Sequence, residues 1–489
     1  MDMSHDTDRT ASPANASTPV DATKPARPTE PGVTTEPSES FYHGPRGLAV
    51  KILSRVERSD SYLDKLIDYT LRTEELDERD RRLLIELSYG VLRNREKLDW
   101  VLTGFYHGEF PKCLTAVKNA MRVALYQILF LDKIPWSAAV NESVDIVKRL
   151  KGGRSAGIVN GVLRNIIRKI NAITWPVRDA NPLHYFSVVH SHPQWMVRRW
   201  LDRFGPRETE QLLIANNNRP PVTISVDTTR CSIDQIRKTL ADNGSQSEYS
   251  PLLPSYLRVK RIGDLSGFPE FQQGLFTVQD DAAGLAARLT GVRPGMRVID
   301  LCAAPGGKSI AMAEMMKGEG RIIALDKYEA KLELLRNAIN RSAHEEIISP
   351  MIGDASSITL EAADVVLLDA PCSGLGVLRR KPEIKWKREA NDIVALAALQ
   401  LELLTNASRM VVPGGVLVYT TCTTEPEENA QVVASFLAAH PEFTLESAEA
   451  YLPDSALRAG VVTAEGYLEV LPHRHGSDGA FGARLKRTG

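Results

Sequence analysis

Two cysteines stand where a thiolate could attack a bound substrate. Cys372 follows the apolar run 365–368, and Cys422 follows the apolar run 416–419. Short apolar runs are typical of buried parallel strands, whose carboxyl ends meet at one edge of a sheet. We therefore expect both thiols beside the same crevice, where two of the chain's five cysteines are hard to assign to packing alone. A thiolate also needs a lowered pKa, which nearby Lys or Arg side chains or a helix N-terminus would supply.

A glycine loop follows the first predicted strand, 298–299. It runs through residues 300–309, and its small residues and two glycines let the backbone approach a ligand closely. The next helix offers free N–H groups at its N-terminus. Two ligand classes fit. One is an adenosyl cofactor in a Rossmann-like crevice. The other is a nucleoside triphosphate, since residues 307–309 (Gly-Lys-Ser) resemble the end of a P-loop. A P-loop requires Gly or Ala where Cys302 stands, so that pattern fails at its start.

Acidic residues at the ends of strands favour the adenosyl cofactor. Asp326 ends the next predicted strand, where a carboxylate can accept hydrogen bonds from ribose hydroxyls or can cap the following helix. Asp354 lies in the loop after a third strand, where it could reach the adenine edge or only shape a turn. Asp369 ends the fourth strand, just before Cys372.

Basic residues are concentrated in two places of this chain. Residues 379–388 hold six bases and one acid around Trp386, which suits a nucleic-acid strand held by its phosphates and a stacked base. Residues 141–200 hold ten Lys or Arg and three acids, which fits a phosphate-binding patch or a solvated helix face. The candidate RNA-binding residues of the first group are Arg379, Arg380, Lys381, Lys385, Lys387 and Arg388.

The spacing of apolar residues predicts a multi-domain α and α/β protein. Residues 45–180 show helical spacing and predict an all-α bundle. Residues 181–275 predict a small α/β connector, with a strand at 222–226 and a helix at 233–240, that could be an auxiliary substrate-binding layer. Residues 276–489 alternate strand, loop and helix, which predicts a doubly wound, Rossmann-like sheet. Residues 1–44 are predicted to be a disordered tail, because residues 1–40 hold six Pro, twelve Ser or Thr and no Ile, Leu, Phe, Trp or Tyr.

The composition of the whole chain excludes several classes of protein. Its 489 residues predict two to four domains, and a net charge of −1 excludes a uniformly basic nucleic-acid coat. Five cysteines without a CxxC pair indicate a reducing compartment, and we expect a cytoplasmic monomer. We expect no membrane span and no secretory signal, because the sequence shows neither pattern. The pairs His190/His192 and His473/His475 lack partners at metal-ligand spacing, so we expect no metal.

Taken together, these motifs resemble the RNA cytosine-5 methyltransferases of the RsmB (Sun/Fmu) type. Residues 45–180 resemble the NusB-type helical, RNA-binding domain that precedes the catalytic domain in bacterial rRNA members of that family. The chain departs from the family pattern at Ala480, where an aromatic residue usually follows Asp-Gly. The matching segments are 276–280, 300–308, 326, 353–355, 369–374, 419–422, 425, 428–429 and 475–479.

The resemblance implies a cofactor and a division of labour between the cysteines. Cys422 would attack C6 of a cytosine, Cys372 would assist release of the product, Asp369 would contact both cofactor and cytosine, and Lys308 would position groups or neutralise charge. The implied substrate is an unpaired cytosine of small-subunit (16S) rRNA, with tRNA as the alternative and a non-catalytic RNA-binding or antitermination factor as a remote one. The residues implied to hold S-adenosylmethionine are Cys302, Ala303, Ala304, Pro305, Gly306, Gly307, Lys308, Asp326, Asp354 and Asp369.

Overall fold

The protein is described from a computed structural model that covers residues 41–260, 263 and 265–489. Most of the tail predicted at 1–44 lies outside the described residues. Its last four residues are already part of the folded protein, since Tyr42 is buried in the helical core and the first helix begins at Gly44. The described part of the chain contains no helix that is both long enough and apolar enough to cross a membrane.

The N-terminal region is a bundle of helices, as its apolar spacing predicts. Helix α5 lies at the centre and is buried along most of its length, because its apolar residues surround it rather than forming one stripe. The long helix α6 changes direction at Gly152, whose φ of 79° lies outside the helical region. The helices are α1 (Gly44–Arg58), α2 (Leu63–Thr73), α3 (Glu78–Arg93), α4 (Arg95–Phe105), α5 (Thr115–Phe130) and α6 (Trp136–Arg168).

The connector forms a small antiparallel sheet with its own helices. The predicted strand at 222–226 and the predicted helix at 233–240 are both present. The small sheet has the order β2-β3-β1-β4, so it extends past the boundary expected at residue 275, because β4 pairs with β1. Its elements are α7 (Pro182–Val189), α8 (Gln194–Asn217), β1 (Val222–Val226), α9 (Ile233–Asp242), β2 (Gln246–Tyr249), β3 (Tyr256–Lys260), α10 (Pro269–Gln272) and β4 (Phe276–Val278).

The C-terminal region is a doubly wound sheet with a buried apolar layer on each face, which confirms the predicted Rossmann-like fold. Its strands are β5 (Arg297–Asp300), β6 (Arg321–Asp326), β7 (Ile348–Ile352), β8 (Ala363–Asp369), β9 (Val411–Thr421), β10 (Phe443–Glu446), β11 (Leu468–Val470) and β12 (Ala480–Arg487). Its helices are α11 (Asp281–Arg288), α12 (Gly307–Met315), α13 (Glu329–Ser342), α14 (Ile384–Lys387), α15 (Ala390–Ser408), α16 (Ala430–Ala439), α17 (Asp454–Arg458) and α18 (Pro472–His475).

The strand order fixes where a ligand can bind. The main sheet runs β10-β12-β9-β8-β5-β6-β7, and the strands from β9 to β7 are parallel. Within this sheet the first strand in sequence is β5. The chain continues through β6 and β7 on one side of β5 and then crosses to β8 on the other side. This reversal opens a crevice at the carboxyl ends of β5 and β8, the position at which open α/β sheets bind their ligands.

Candidate active site

The glycine loop joins β5 to α12 at this crevice. Asp300 ends β5 fully buried, where its Oδ2 accepts a hydrogen bond from Ser309 Oγ at 2.6 Å. Burial raises the pKa of Asp300 to about 7. Gly306 has a φ of 108°, and a Cβ there would lie 2.6 Å from Leu335 Cδ1. Only glycine therefore fits this turn, which leaves the first amide groups of α12 at the carboxyl edge of β5.

A cavity of about 300 Å³ lies against this loop. Two buried polar atoms among its lining residues, Gln279 Nε2 and Asp300 Oδ1, have no hydrogen-bond partner within the described residues. Gly307 also leaves room here, since a Cβ on it would meet Gln279 Nε2 at 3.0 Å. The loop contributes Cys302, Ala303, Ala304, Pro305, Gly307 and Lys308, and the rest of the lining is Asp300, Asp369, Thr223, Val278, Gln279, Asp280, Ala283, Arg380 and Asp478.

The other two predicted cofactor carboxylates follow β6 and β7 along the same edge. Asp326 is buried, and its Oδ1 accepts a hydrogen bond from the backbone N–H of Tyr328 at 3.1 Å. Asp354 pairs with Lys327 at 2.7 Å, and this contact lowers the pKa of Asp354 to about 2. Neither residue lines the 300 Å³ cavity.

The two candidate cysteines are brought together, as their positions after neighbouring strands predict. Their Sγ atoms lie 3.3 Å apart. The hydrogen bond from Cys372 lowers the pKa of Cys422, and the Lys308 cation lowers it further against the opposing effects of burial and Asp369. The same hydrogen bond and burial raise the pKa of Cys372 well above its ordinary value. Of the two thiols, Cys422 is therefore the one whose pKa is shifted toward the thiolate form, and Cys372 is the one that holds its proton more firmly.

Lys308 and Asp369 form an ion pair beside these thiols. Lys308 Nζ lies 2.6 Å from Asp369 Oδ2, and Thr420 Oγ1 donates to Asp369 Oδ1 at 2.9 Å. Burial lowers the pKa of Lys308, but the Asp369 carboxylate outweighs burial and the net shift is upward. Cys302, the third thiol near the crevice, has its pKa raised by burial and by surrounding carboxylates, so it stays protonated.

Backbone and carboxylate contacts hold the cysteine loops in place. Gly376 N–H donates to the carbonyl of Cys422 at 3.0 Å, and a Cβ on Gly376 would meet that oxygen at 2.7 Å. Buried Glu428 accepts hydrogen bonds from the Ser373 N–H at 2.8 Å and from Gln400 Nε2 at 2.9 Å. These contacts explain part of the 425–429 motif: Glu428 fixes the loop that carries Cys372.

The predicted RNA-binding loop 379–388 has a different arrangement from the one expected. Arg379 is buried and Lys385 is fully buried, so neither lies on the surface expected of an RNA-binding loop. Lys385 Nζ donates to the carbonyls of Arg93 at 3.0 Å and Ser191 at 2.9 Å and to Asn217 Oδ1 at 2.9 Å. The loop therefore joins the helical bundle, α8 and the main sheet.

The remaining bases of this loop also make contacts within the protein. Lys387 Nζ donates to the carbonyls of Ser59 and Ser61, and Arg388 Nε donates to that of Ser373 at 3.2 Å. The Lys381 side chain is 40% exposed, with its Nζ 3.8 Å from a carboxylate oxygen of Asp64.

Two buried carboxylates that the sequence did not single out as site residues hold Arg379 and Arg380. Asp280 lies 2.6 Å from Arg380 and 3.2 Å from Arg379, and Asp478 contacts both guanidinium groups. Burial raises the pKa of Asp280, but Arg380 and Arg379 outweigh it and set it at about 2. Burial and the Asp280 charge raise the pKa of Asp478. Both aspartates fall in matched motifs, 276–280 and 475–479, but only the fold shows their shared partners.

The structure also shows the surroundings of the basic stretch 141–200 and of two of the four histidines considered as metal ligands. Helix α6 exposes Lys148, Arg149, Lys151, Arg154, Arg164 and Arg168, which agrees with both interpretations of this patch. His190 and His473 pair with Glu210 and Glu208, at 3.3 and 2.8 Å.

A Rossmann-like sheet with a glycine loop at its switch point and two thiols side by side at the ends of neighbouring strands fits an enzyme of the methyltransferase class. Three family models cover most of the chain: the NusB family matches residues 43–168, the ferredoxin-like domain of Methyltr_RsmF/B-like proteins matches 192–266, and 16S rRNA methyltransferase RsmB/F matches 289–486. The chain belongs to the RsmB/F family of 16S rRNA methyltransferases, as its curated relatives also show.

Two relatives and one solved structure illustrate the extent of the similarity. The probable ribosomal RNA small subunit methyltransferase B of Bacillus subtilis is 34% identical over 91% of this chain and 99% of its own length. The protein with the same description from Synechocystis is 33% identical over the same shares. The crystal structure of PH0851 superposes with a TM-score of 0.76 at 27% identity, covering 91% of this chain and 99% of that one.

Proposed function

We propose that this protein transfers the methyl group of S-adenosylmethionine to C5 of an unpaired cytosine in 16S rRNA, with Cys422 as the nucleophile. The observation that carries the proposal is the pair of sulfurs 3.3 Å apart whose pKa values shift in opposite directions. Cytosine C5 is a weak nucleophile, so an enzyme must first add a thiolate at C6 to make C5 reactive. A site that lowers the pKa of one thiol and raises that of its neighbour favours one sulfur for that attack.

The residues of the crevice fit an adenosyl cofactor. The unpartnered atoms Gln279 Nε2 and Asp300 Oδ1 and the open face of Gly307 provide hydrogen-bonding groups and space on the cavity wall. We assign the loop 302–308 and Asp369 to the methionine end, and Asp326 and Asp354 to the ribose and adenine. When bound, S-adenosylmethionine supplies a methyl group on a positively charged sulfur.

The protein's own groups then act in a fixed order. The Cys422 thiolate forms a bond to C6, and the electron pair of the C5–C6 double bond moves to C5. C5 would then form a bond to the methyl group while the bond from that group to the positively charged sulfur breaks, which would leave a neutral thioether. Asp369 accepts a hydrogen bond from the cytosine amino group while Lys308 balances its charge. The C5 proton is lost to water, the C5–C6 double bond re-forms, and the C6–S bond breaks. Cys372 assists that release because its S–H donates to the departing Cys422 thiolate.

The RNA must reach the thiols as a single strand, because C6 is inaccessible to a thiolate within a stacked helix. Among the predicted RNA-binding residues we assign a phosphate contact to Lys381, which is exposed and near enough to lower the pKa of Cys422. The exposed bases of α6 offer further phosphate contacts on the helical bundle.

The test is transfer of tritiated methyl groups to 16S rRNA transcribed without modifications, with a tRNA transcript mixture as the matched competitor. We expect label on 16S rRNA, recovered as 5-methylcytosine after digestion to nucleosides. Label on tRNA alone would keep the chemistry and overturn the substrate. Label on another nucleoside would overturn the cytosine-5 reaction itself.

A further inference from the structure

A second cluster of ligating side chains lies away from the crevice, between the small sheet and the main sheet. Asp227 follows β1, Glu314 belongs to α12, and His344 follows α13. One ligand atom from each of the three lies within 4.8 Å of the others. The three residues come from different domains or helices, so only the fold brings them together.

Two atoms of this cluster are buried without a hydrogen-bond partner. Asp227 is 2% exposed and His344 is 9% exposed, yet Asp227 Oδ2 and His344 Nε2 have no such partner within the described part of the chain. The other oxygen of Asp227 is used, since Oδ1 accepts hydrogen bonds from the Thr229 N–H and hydroxyl. A buried carboxylate oxygen and a buried imidazole nitrogen rarely stay unpaired, because each loses its hydration without compensation.

The charges around the cluster leave its negative side incompletely neutralised. Arg230 Nε lies 4.0 Å from Asp227 Oδ2, beyond hydrogen-bond distance, while its terminal nitrogens donate to the carbonyls of Ser342 and Gln273. Arg288 is the other cation that acts on Glu314. A metal ion bound between the three side chains would give Asp227 Oδ2 and His344 Nε2 the partner that they lack among the described residues.

We propose that Asp227, Glu314 and His344 bind one divalent transition-metal ion. Imidazole nitrogens and carboxylate oxygens both bind Zn²⁺, whereas Mg²⁺ prefers oxygen ligands alone. Ligands of a tetrahedral zinc site lie about 3.4 Å apart, so atoms within 4.8 Å need only small side-chain movements to close around the ion. The site is independent of the methyl-transfer reaction.

The position of the cluster predicts what the ion would do. Asp227 directly follows β1 of the small sheet, and Glu314 lies on α12, the helix that begins at the glycine loop. A shared ion would fix the small domain against α12 and stabilise the folded protein, because a ligand that binds only the folded chain raises its unfolding temperature.

The test uses the full chain carrying Cys372→Ala and Cys422→Ala, since the paired thiols would themselves bind zinc. The protein is stripped with EDTA, titrated with Zn²⁺ by calorimetry, and melted with and without the ion. We expect one Zn²⁺ per chain, an unfolding temperature raised by at least about 3 °C, and no such rise with Mg²⁺. A chain that binds no Zn²⁺, or is equally stabilised by Mg²⁺, would overturn the proposal.

Two variants and a control locate the ion. Asp227→Asn keeps the Oδ1 acceptor for Thr229, and His344→Gln keeps a polar side chain, so both should fold with near-normal circular dichroism. We expect each to weaken Zn²⁺ binding at least 30-fold, while Asp234→Asn, an exposed aspartate of the same small domain, leaves it unchanged. Undiminished binding in either folded variant would place the ion elsewhere and contradict the assignment.

Discussion

The glycine loop offers a prediction whose size can be worked from the structure. Gly306→Ala places a methyl group on a backbone with φ 108°, and this methyl group would lie 2.6 Å from Leu335 Cδ1. A side chain in this backbone region costs about 1–2 kcal/mol, and forcing an extra carbon into a packed site costs about 1–3 kcal/mol more. We therefore expect Gly306→Ala to lower the free energy of unfolding by about 2–5 kcal/mol.

Gly318→Ala is the matched control for this prediction. Gly318 lies just after α12 with a φ of 72°, and a Cβ on it would meet nothing within 4 Å. Gly318→Ala should therefore lower the free energy of unfolding only by the cost of the backbone conformation, about 1–2 kcal/mol. For an unfolding unit of roughly 200 residues, such as the C-terminal region, the melting temperature changes by about 2–4 °C per kcal/mol. In the transition of that region, Gly306→Ala should therefore melt about 2–12 °C below Gly318→Ala.

Calorimetry with S-adenosylmethionine completes the assay. Because Gly306 shapes the loop that lines the cavity, we expect its variant to bind the cofactor at least tenfold more weakly, while Gly318→Ala binds it normally. Equal melting temperatures and equal cofactor affinities in the two variants would refute the steric argument.

Three further predictions concern charged groups. Lys308→Met should raise the pKa of Cys422, so that methyl transfer falls at least tenfold at neutral pH and partly recovers as pH rises; an unchanged pH–rate profile would contradict this. Lys385→Met leaves three buried acceptors unpaired and should cost about 2–4 kcal/mol in denaturant unfolding, against less than about 0.5 for exposed Lys381→Met. The folded-state pKa of Asp280, about 2, lies below its ordinary value of 3.8, so its stabilisation is present above pH 4 and is lost as pH falls toward 2. Between pH 4 and pH 2, the wild-type chain should therefore lose up to about 2 kcal/mol more of its free energy of unfolding than Asp280→Asn does, as measured by acid unfolding curves.

The sequence predicted those features of the site that depend on strand order. Apolar runs at 298–299, 322–325, 365–368 and 416–419 all form strands of the main sheet. Because parallel strands end at one edge, the positions of Cys372 and Cys422 were enough to predict their proximity. The two glycines predicted a loop that a ligand can approach closely, but the left-handed backbone at Gly306 is shown only by the fold.

Features that depend on distant partners could not be predicted. The bases of 379–388 read as an exposed RNA-binding loop, because charge alone does not show that Asp280, Asp478 and the carbonyl of Arg93 bind them. The cluster of Asp227, Glu314 and His344 shows no ligand spacing along the chain. Likewise, β4 read as the first element of the catalytic region, whereas its pairing with β1 places it in the small sheet.

The division of labour between the cysteines is tested most directly by trapping protein on RNA. Wild-type, Cys372→Ala and Cys422→Ala proteins would be incubated with S-adenosylmethionine and unmodified 16S rRNA and then separated under denaturing conditions. We expect Cys372→Ala to remain covalently attached to RNA, because the departing thiolate has lost its hydrogen-bond donor, and Cys422→Ala to transfer no methyl groups and form no adduct. Methyl transfer by Cys422→Ala, or adducts that depend on Cys372 instead, would contradict the assignment of Cys422 as the nucleophile.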